Sequence, residues 1–402
     1  MRIITTILAL IMLLTVTGCA MVNNGINGNN ALAAYNSAAS LSTADGTYAK
    51  DIRVVANGKT HSGVALIMDG GEMLLPVQGI VKLIGGAVGL DTESQRMTVK
   101  IGDTRIVLNI GDTLISVNDT EYNLDIPVTL VDNIAFAPTQ FFSDHLQIGF
   151  SVSDDDVYIS NNPATSIPVL LYHHLLPVEK TLQENCLVVS TESFNQQMKY
   201  LHDRGFYTLT ISDLEEFLYS EKKLPERSVM IHFDDGYYSN IVYAYPILKQ
   251  YGHRATIFFI THYIEDLGDS QPSIDESGPV FTAAKSIIGT DDVFETASHS
   301  HDMHRLLEGT DDTVLSHETK ENIIRDTQKS FEFVSNHSAY AYPRTVYNQN
   351  VIDALAETGI TMAFAAGDTY VTADSSPFEL GRISIFQYVS FDSFKEIVNG
   401  LK

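Results

Sequence analysis

Short apolar runs alternate with amphipathic segments through residues 165–402, and this alternation limits the possible fold more than any other feature of the sequence. Three of the runs have the length and the largely apolar character of buried strands: Ile167–Tyr172, Ser228–Phe233 and Ala255–Ile260. Phe194–Arg204 repeats its apolar residues at helical spacing, and Tyr238–Tyr251 predicts a second helix that ends at Gly252. Strands that alternate with helices build a parallel sheet covered by helices, so the sequence predicts an α/β fold.

The same pattern continues to the end of the chain. Ser212 is followed three residues later by Glu215, which predicts a helix with Ser212 as its N-cap. Further strands are predicted near Phe294–Ala297, Ala339–Tyr342, Met362–Phe364 and Arg382–Ile385, and further helices at about 317–335, 348–357 and 391–400.

Two motifs with ionisable side chains follow predicted strands. The run Phe233-Asp234-Asp235-Gly236 sets two carboxylates side by side, and the run Ser298–His304 holds three histidines. Carboxylates and imidazoles are ligands for a divalent ion, and the second carboxylate is free to move protons. His299 and His304 would lie about 140° apart on an ideal helix, so their joint coordination of a metal requires a loop. His301 is the alternative ligand on this segment.

The first residues have the pattern of a targeting segment. Arg2 precedes an apolar run over residues 3–16, and the small residues up to Cys19 complete a signal peptide over 1–18. Val16–Cys19 resembles a bacterial lipobox, in which Cys19 would carry the lipid; the alternative is an ordinary signal peptide. Residues 19–50 are rich in Asn, Gly, Ala and Ser, which predicts a flexible linker.

Residues 51–161 alternate short strands with Gly, Asn and Asp turns and contain an internal repeat. In each copy a strand ends at a proline, Pro76 or Pro138, before a short helix and a hairpin. This segment resembles the copper amine oxidase N-terminal-like domain, although its only histidines, His61 and His145, form no ligand cluster. The resemblance implies a small β-rich α+β domain that acts as a spacer or binds a wall polymer. Residues 162–165 are predicted to be a linker.

Residues 165–402 resemble the polysaccharide deacetylases of the NodB homology type, carbohydrate esterase family four, and in particular the poly-N-acetylglucosamine deacetylases. The motifs that carry the resemblance are Ile167–His174, Phe233–Gly236 and His299–His304. The resemblance implies a distorted (β/α) barrel that removes N- or O-acetyl groups with a divalent metal, most simply Zn, with Co or Ni as alternatives. It makes Asp234 the base, and it gives three metal ligands: Asp235, His299 and His304.

The third family motif is altered in this chain. Many relatives have an arginine two residues before Pro343 that orients the base, and here that position is Ala341. The resemblance implies that the backbone N–H of Arg344, after the proline, stabilises the oxyanion. The family's late histidine, its proton donor, has no counterpart, since Arg382 is the only ionisable residue in the corresponding region.

Residues at the first strand end are therefore candidates for the proton donor: His173 and His174, of which His174 is assigned. His232 is expected to point into the sheet. The chain has no tryptophan, so sugar stacking is assigned to tyrosines, with Tyr237, Tyr342 and Pro343 as substrate contacts. The acidic stretch Glu265–Pro279 is predicted to be an inserted loop at the rim of the site.

The sequence thus predicts a metal-dependent deacetylase of an N-acetylated amino-sugar polymer, held by a lipid anchor at the extracellular face of a bacterial membrane. The formal net charge of −25 excludes a nucleic-acid partner, which would require clustered Lys and Arg. Two alternatives remain open: a surface lipoprotein that binds glycan without turning it over, and an esterase that acts on O-acetyl groups of wall polymers.

Overall fold

The computed structural model of the chain describes residues 47–178, 186–274, 280–310 and 312–401. The predicted signal peptide, most of the predicted linker and the lipidation candidate Cys19 lie outside these residues. The first strand begins at Tyr48, so the last residues of that linker belong to a sheet. Within the described part, no helix is both long enough and apolar enough to cross a membrane.

The first part of the chain folds into twelve described strands and two short helices. The strands are β1 Tyr48–Ala56, β2 Lys59–Ile67, β3 Met73–Pro76, β4 Ala87–Asp91, β5 Arg96–Ile101, β6 Thr104–Asn109, β7 Leu114–Val117, β8 Thr120–Asn123, β9 Thr129–Val131, β10 Ile134–Pro138, β11 Gly149–Ser153 and β12 Asp156–Ser160. The helices are α1 Val77–Leu83 and α2 Thr139–His145.

The internal repeat is present, but its two copies enter different sheets. Pro76 and Pro138 each end a strand just before a helix, where a residue without a backbone donor fits. The hairpin of the second copy, β11–β12, joins a seven-stranded sheet in the order β11-β12-β1-β2-β3-β10-β9. The hairpin of the first copy starts a five-stranded antiparallel sheet, β4–β8. One apolar core, which includes Phe141 and Phe142, joins the two sheets.

The second part of the chain alternates strands and helices. Its strands are β13 Val169–Tyr172, β14 His174–Leu176, β15 Val188–Ser190, β16 Tyr207–Thr208, β17 Ser228–Phe233, β18 Ala255–Phe259, β19 Phe294–Ser298, β20 Ala339–Ala341, β21 Met362–Phe364 and β22 Ile383–Ser384. Its α-helices are α3 Thr191–Asp203, α4 Ile211–Tyr219, α5 Tyr245–Tyr251, α6 Thr261–Leu267, α7 Ala284–Ile287, α8 Lys320–Ser330, α9 Gln349–Glu357 and α10 Phe391–Val398. A π-helical turn, Asn240–Ala244, precedes α5, and two 3₁₀ turns cover Val314–His317 and Pro343–Thr345.

Seven of these strands form one parallel sheet, in the order β21-β20-β19-β18-β17-β13-β22, and β16 pairs with β17 beside it. A parallel bridge between Phe364 and Leu380 links β21 to the segment that leads into β22, so the two edges approach each other. Every residue of β17 is buried, as is usual for a strand covered on both faces. The predicted distorted (β/α) barrel is therefore confirmed, and the carboxyl ends of its strands form one mouth.

The predicted N-cap of α4 is wrong. The helix begins at Ile211, and Thr210 is the cap, with its hydroxyl accepting from the Asp213 N–H. Asp213 completes the capping box by accepting from the Thr210 N–H. Both caps fit the same sequence rule, but the Tyr207 hydroxyl also donates to Asp213, and this tertiary contact favours the earlier one.

The predicted linker at residues 162–165 is packed against the barrel. The Ala164 N–H donates to Leu224 O at 2.8 Å, and the Glu226 N–H donates to Ser160 Oγ at 2.8 Å. The Tyr158 and Tyr207 rings meet across the contact, with centroids 5.1 Å apart. These contacts involve the amino ends of β16 and β17, so the first part of the chain sits on the end of the barrel opposite the mouth.

Glycine is required at this contact, which gives a test of how firmly the two parts pack. Gly205 and Gly252 each follow a helix with left-handed φ values of 67° and 68°. A Cβ on Gly205 would lie 2.5 Å from Val55 Cγ1, whereas a Cβ on Gly252 would meet no atom within 4 Å. Both alanine variants incur backbone strain, but only Gly205→Ala also overpacks, which should destabilise it by a further 1–3 kcal/mol or so in urea unfolding. Equal losses for Gly205→Ala and Gly252→Ala would show that the contact is loose.

Candidate metal centre

The turn after β17 brings two carboxylates to the mouth of the barrel. The Asp234 N–H still pairs with the sheet by donating to Tyr172 O at 3.1 Å. Asp235, with φ 70°, and Gly236, with φ 77°, then adopt left-handed backbone and reverse the chain. A Cβ on Gly236 would lie 2.2 Å from Phe259 Cδ1, so only glycine fits this position. The two neighbouring carboxylates consequently contact different partners.

Asp235 faces two histidines from the loop after β19. Its Oδ1 lies 3.6 Å from His299 Nε2 and 3.4 Å from His304 Nε2. Within the described part of the chain, these three residues are the one group of metal-binding side chains whose ligand atoms all lie within 4.8 Å of one another. The segment that carries both histidines is not helical, as their spacing requires. The sequence-predicted ligands Asp235, His299 and His304 are thus brought together.

The two histidines are prepared to act as neutral ligands. His299 Nδ1 lies 2.8 Å from Ala341 O, so this nitrogen carries the proton and Nε2 faces Asp235 with its lone pair. Burial lowers the pKa of both His299 and His304 to about 4. Because a metal binds only the neutral imidazole, both side chains are ready for an ion at neutral pH. One carboxylate and two imidazoles fit Zn²⁺ well and leave room for water or substrate.

Asp234 faces a buried arginine instead. Its two carboxylate oxygens accept from Arg382 Nη1 at 2.7 Å and Nη2 at 2.8 Å, and Arg382 is 1% exposed. Burial raises the pKa of Asp234, but the charge of Arg382 and its hydrogen bonds outweigh this effect, so the net pKa is well below the usual range. Asp234 is therefore an ionised carboxylate, and His299 Nε2 lies 3.8 Å from it.

The sequence alone assigned no catalytic or structural role to Arg382. It binds both oxygens of Asp234 from the position just before β22, whereas Ala341, where many relatives have their arginine, is the last residue of β20. Its Nε also donates to Ala365 O at 3.2 Å, which fixes the guanidinium. The available signal was an arginine in a run that otherwise predicts a buried strand, since a buried charge requires a partner.

The histidines after β13 differ in their surroundings. His174 Nδ1 lies 2.6 Å from Ser239 Oγ, its ring packs on Tyr237, and burial lowers its pKa to about 4. Among the described residues, His174 forms no ion pair with Asp234 or Asp235. His173, in contrast, directly follows Tyr172, whose carbonyl accepts from the Asp234 N–H, so the backbone of His173 lies next to Asp234.

His232 lies in the barrel interior, as expected from the sequence. It is fully buried, and its ring contacts Phe258 and Phe364 at centroid distances of 4.9 and 4.6 Å. Burial holds its pKa well below the usual value. His232 is thus a neutral core residue.

The third motif needs one correction. Tyr342, predicted as a substrate contact, is fully buried, and its hydroxyl donates to Phe378 O at 2.9 Å. Its position at the end of β20 turns the ring into the core, and Pro343 beside it is also buried. Arg344 is exposed, with a left-handed φ of 53°, and its charge lowers the pKa of His304, so it faces the site.

Tyr237 belongs to a wall of aromatic rings beside Asp235. Its ring stacks on Phe281 at 5.4 Å, and Phe281 stacks on Tyr263 at 3.7 Å. The Tyr238 N–H donates to Val280 O and the Thr282 N–H to Gly236 O, so the segment after the predicted inserted loop is joined to the turn that carries Asp234 and Asp235. Burial and the neighbouring Asp235 carboxylate raise the pKa of Tyr237. Residues 275–279 of that loop lie outside the described residues.

Two family models match the chain. The model described as copper amine oxidase N-terminal domain matches residues 54–160, and the model described as polysaccharide deacetylase matches residues 221–363. Both matches lie inside the segments in which the sequence showed these resemblances.

Similar proteins carry related names. A protein of Staphylococcus aureus (strain MRSA252) named poly-beta-1,6-N-acetyl-D-glucosamine N-deacetylase is 31% identical over 219 residues, which cover 52% of this chain and 70% of that protein. YxkH of Bacillus subtilis (strain 168), a provisional polysaccharide deacetylase by name, is 28% identical over 259 residues, or 64% and 85% of the two chains.

A solved structure supports the fold. The deacetylase PplD of Streptococcus pyogenes, solved in complex with acetate, superposes with a TM-score of 0.50 at 22% identity and covers 59% of this chain and 99% of that one. At this identity the likeness shows that the two chains share the barrel.

Proposed function

We propose that this chain, which belongs to the polysaccharide deacetylase family, hydrolyses N-acetyl groups of an amino-sugar polymer outside the cell. The observation that carries the proposal is the ionised Asp234 carboxylate beside the cluster of Asp235, His299 and His304. Amide hydrolysis by water needs a base for the water proton and a positive charge for the carbonyl oxygen. Asp234 can be the base, and a cation held by the cluster would be the positive charge.

The metal is part of the proposal. Asp235, His299 and His304 would hold a divalent cation, most simply Zn²⁺, with Co²⁺ or Ni²⁺ as alternatives. A cation bound there would polarise the acetyl carbonyl and make water more acidic. The proton on His299 Nδ1, fixed by Ala341 O, keeps the other nitrogen available as a ligand.

The side chains around this cluster divide the proton transfers. Asp234, held by Arg382, takes a proton from the water that attacks the acetyl carbon. The backbone N–H of Arg344 is the donor for the oxyanion, and His173 gives the leaving nitrogen its proton. The C–N bond then breaks to give acetate and a free amine. His173 is preferred to His174 in this role because it adjoins Tyr172, whose carbonyl accepts from the Asp234 N–H, whereas His174 Nδ1 lies 2.6 Å from Ser239 Oγ.

The polymer and the location are also proposals. The staphylococcal relatives are named for poly-beta-1,6-N-acetylglucosamine, so a polymer of that kind is the first substrate to test. The lipobox-like residues up to Cys19 support a lipid anchor at the extracellular face of a bacterial membrane. Residues 51–161, on the barrel end away from the mouth, would then serve as a spacer or contact wall polymer.

Acetate release from an N-acetylglucosamine oligomer tests the function. The metal-stripped chain should be inactive, Zn²⁺ should restore activity, and each acetate should appear with one new primary amine. In the same assay, His173→Gln should lose more activity than His174→Gln. Acetate without amine, from an O-acetylated polymer, would support the esterase instead. Tight glycan binding without release at any metal concentration would support a binding protein.

A further inference from the structure

The loop that carries two of the three candidate ligands has no regular structure, so its backbone groups need other partners. It runs from His299 to His304, and Ser300 has a left-handed φ of 71°. On one side, the first turn of α6 donates to its carbonyls: the Thr261 N–H to Ser300 O at 3.1 Å and the His262 N–H to His301 O at 3.2 Å. The carbonyl side of the loop is thereby fixed.

On the N–H side, a single side chain binds two consecutive amides in the middle of the loop. The carboxylate of Asp326, on α8, accepts from the His301 N–H at 2.7 Å and from the Asp302 N–H at 2.8 Å, with one oxygen for each donor. These two amides lie between the ligands His299 and His304. The carboxylate therefore spans the middle of the loop.

Within the described residues, the two loop amides are the hydrogen-bond partners of the Asp326 carboxylate. No lysine or arginine in residues 47–178, 186–274, 280–310 and 312–401 forms an ion pair with it, and burial raises its pKa. A partly buried carboxylate without a cation is unfavourable unless hydrogen bonds compensate. The two loop amides supply that compensation.

The arrangement also decides which histidines face Asp235. His301 Nδ1 lies 3.0 Å from Thr261 Oγ1, and its Nε2 lies 3.3 Å from Glu265 Oε2. Both nitrogens of His301 are thus engaged away from the cluster. The same loop conformation leaves the His299 and His304 rings 4.8 Å apart beside Asp235.

We propose that Asp326 is a positioning residue for the metal centre, which acts by holding the backbone of the loop from which His299 and His304 project. This inference rests on the proposed function, because it assumes that the cluster binds a metal ion. Its prediction concerns affinity for that ion, and does not depend on which polymer is hydrolysed.

The test compares Zn²⁺ affinity of the full chain with that of Asp326→Asn, by competition with a chromophoric chelator. Asparagine keeps the shape but has one acceptor oxygen, and its NH₂ group would meet a backbone N–H. Removing such support around a metal ligand should weaken Zn²⁺ binding by about 10- to 100-fold. The Co²⁺ absorption spectrum should change as well. Glu321→Gln, an exposed change on the same helix, should alter neither.

Other outcomes are decisive. Unchanged Zn²⁺ affinity in a folded Asp326→Asn chain would overturn the inference, even if its melting temperature fell, since a merely structural residue behaves that way. If the variant does not fold, amide exchange in the unmodified chain decides: slow exchange at His301 and Asp302 supports the inference, and rapid exchange overturns it. An unmodified chain that binds no Zn²⁺ overturns it too. Zn²⁺ binding without acetate release would contradict the proposed function alone.

Discussion

Asp235→Asn is expected to abolish both metal binding and deacetylation. Asp235 is the one carboxylate in the cluster, and both histidine Nε2 atoms lie within 3.6 Å of its Oδ1. The amide side chain has nearly the same volume but carries no charge, so the site would offer a cation only two imidazoles and a weak ligand. Since a metal contributes several kcal/mol to such a transition state, activity should fall by about 10³-fold or more.

Two measurements check this expectation: bound Zn²⁺ after dialysis, and the rate of acetate release with excess Zn²⁺. Asp392→Asn is the matched control, because Asp392 is exposed on α10, remote from the cluster in the chain. Removal of Asp235 removes a buried charge, so the variant is expected to fold. Full activity in Asp235→Asn, with Zn²⁺ still bound, would contradict the assignment of the metal centre.

The cluster of Asp235, His299 and His304 could be predicted because each of its signals is local. Asp234 and Asp235 directly follow a largely apolar run of strand length, and His299 follows the strand predicted near Phe294–Ala297. Parallel strands place their carboxyl ends at one edge, so two motifs far apart in sequence must meet. The barrel could be predicted from the alternation of short strands and helices, because this alternation is typical of a parallel sheet covered by helices.

The partner of Asp234 could not be predicted, because nothing local selects it. Arg382 is 148 residues away and directly precedes β22, a strand of two residues beside β13. The family pattern suggested that an arginine was missing at Ala341, and only the folded barrel shows that Arg382 contacts Asp234. The contact with Asp234 depends on where the fold places the guanidinium of Arg382, and not on its position in a sequence motif.

Sequence patterns also could not show which tyrosine is buried in the core. Tyr342 and Tyr237 both follow strands and both are amphipathic, so either could have faced a sugar. Packing separates them: the Tyr342 hydroxyl finds a carbonyl in the core, whereas Tyr237 joins a ring stack with Phe281. The packing of residues 162–165 also could not be predicted. Their composition is typical of a linker, and only the structure shows the backbone hydrogen bond to the segment before β17.

Arg382→Met is expected to lower activity by about 10²- to 10⁴-fold, the usual contribution of a positioned general base, while Zn²⁺ binding persists. Asp234 is buried, and its pKa is held low by Arg382 against the opposing effect of burial. Without the guanidinium, burial would raise that pKa, and a carboxyl group that takes up a proton cannot act as the base. Loss of one partner from a buried ion pair should also reduce stability by about 3–5 kcal/mol.

The pH dependence separates this effect from a general loss of structure. A depressed pKa keeps Asp234 ionised at every pH above it, so the base is lost only on strong acidification. In Arg382→Met the pKa rises, and the acid limb of kcat/KM should move to higher pH, with part of the activity recovered in alkaline buffer. Arg382→Lys keeps a positive charge without the paired hydrogen bonds. Its activity and its acid limb should therefore lie between those of the unmodified chain and those of Arg382→Met. Arg325→Met, at an exposed position on α8, should change neither rate nor profile. An acid limb that stays in place in a folded, Zn²⁺-loaded Arg382→Met chain would show that Arg382 does not set the protonation of the base.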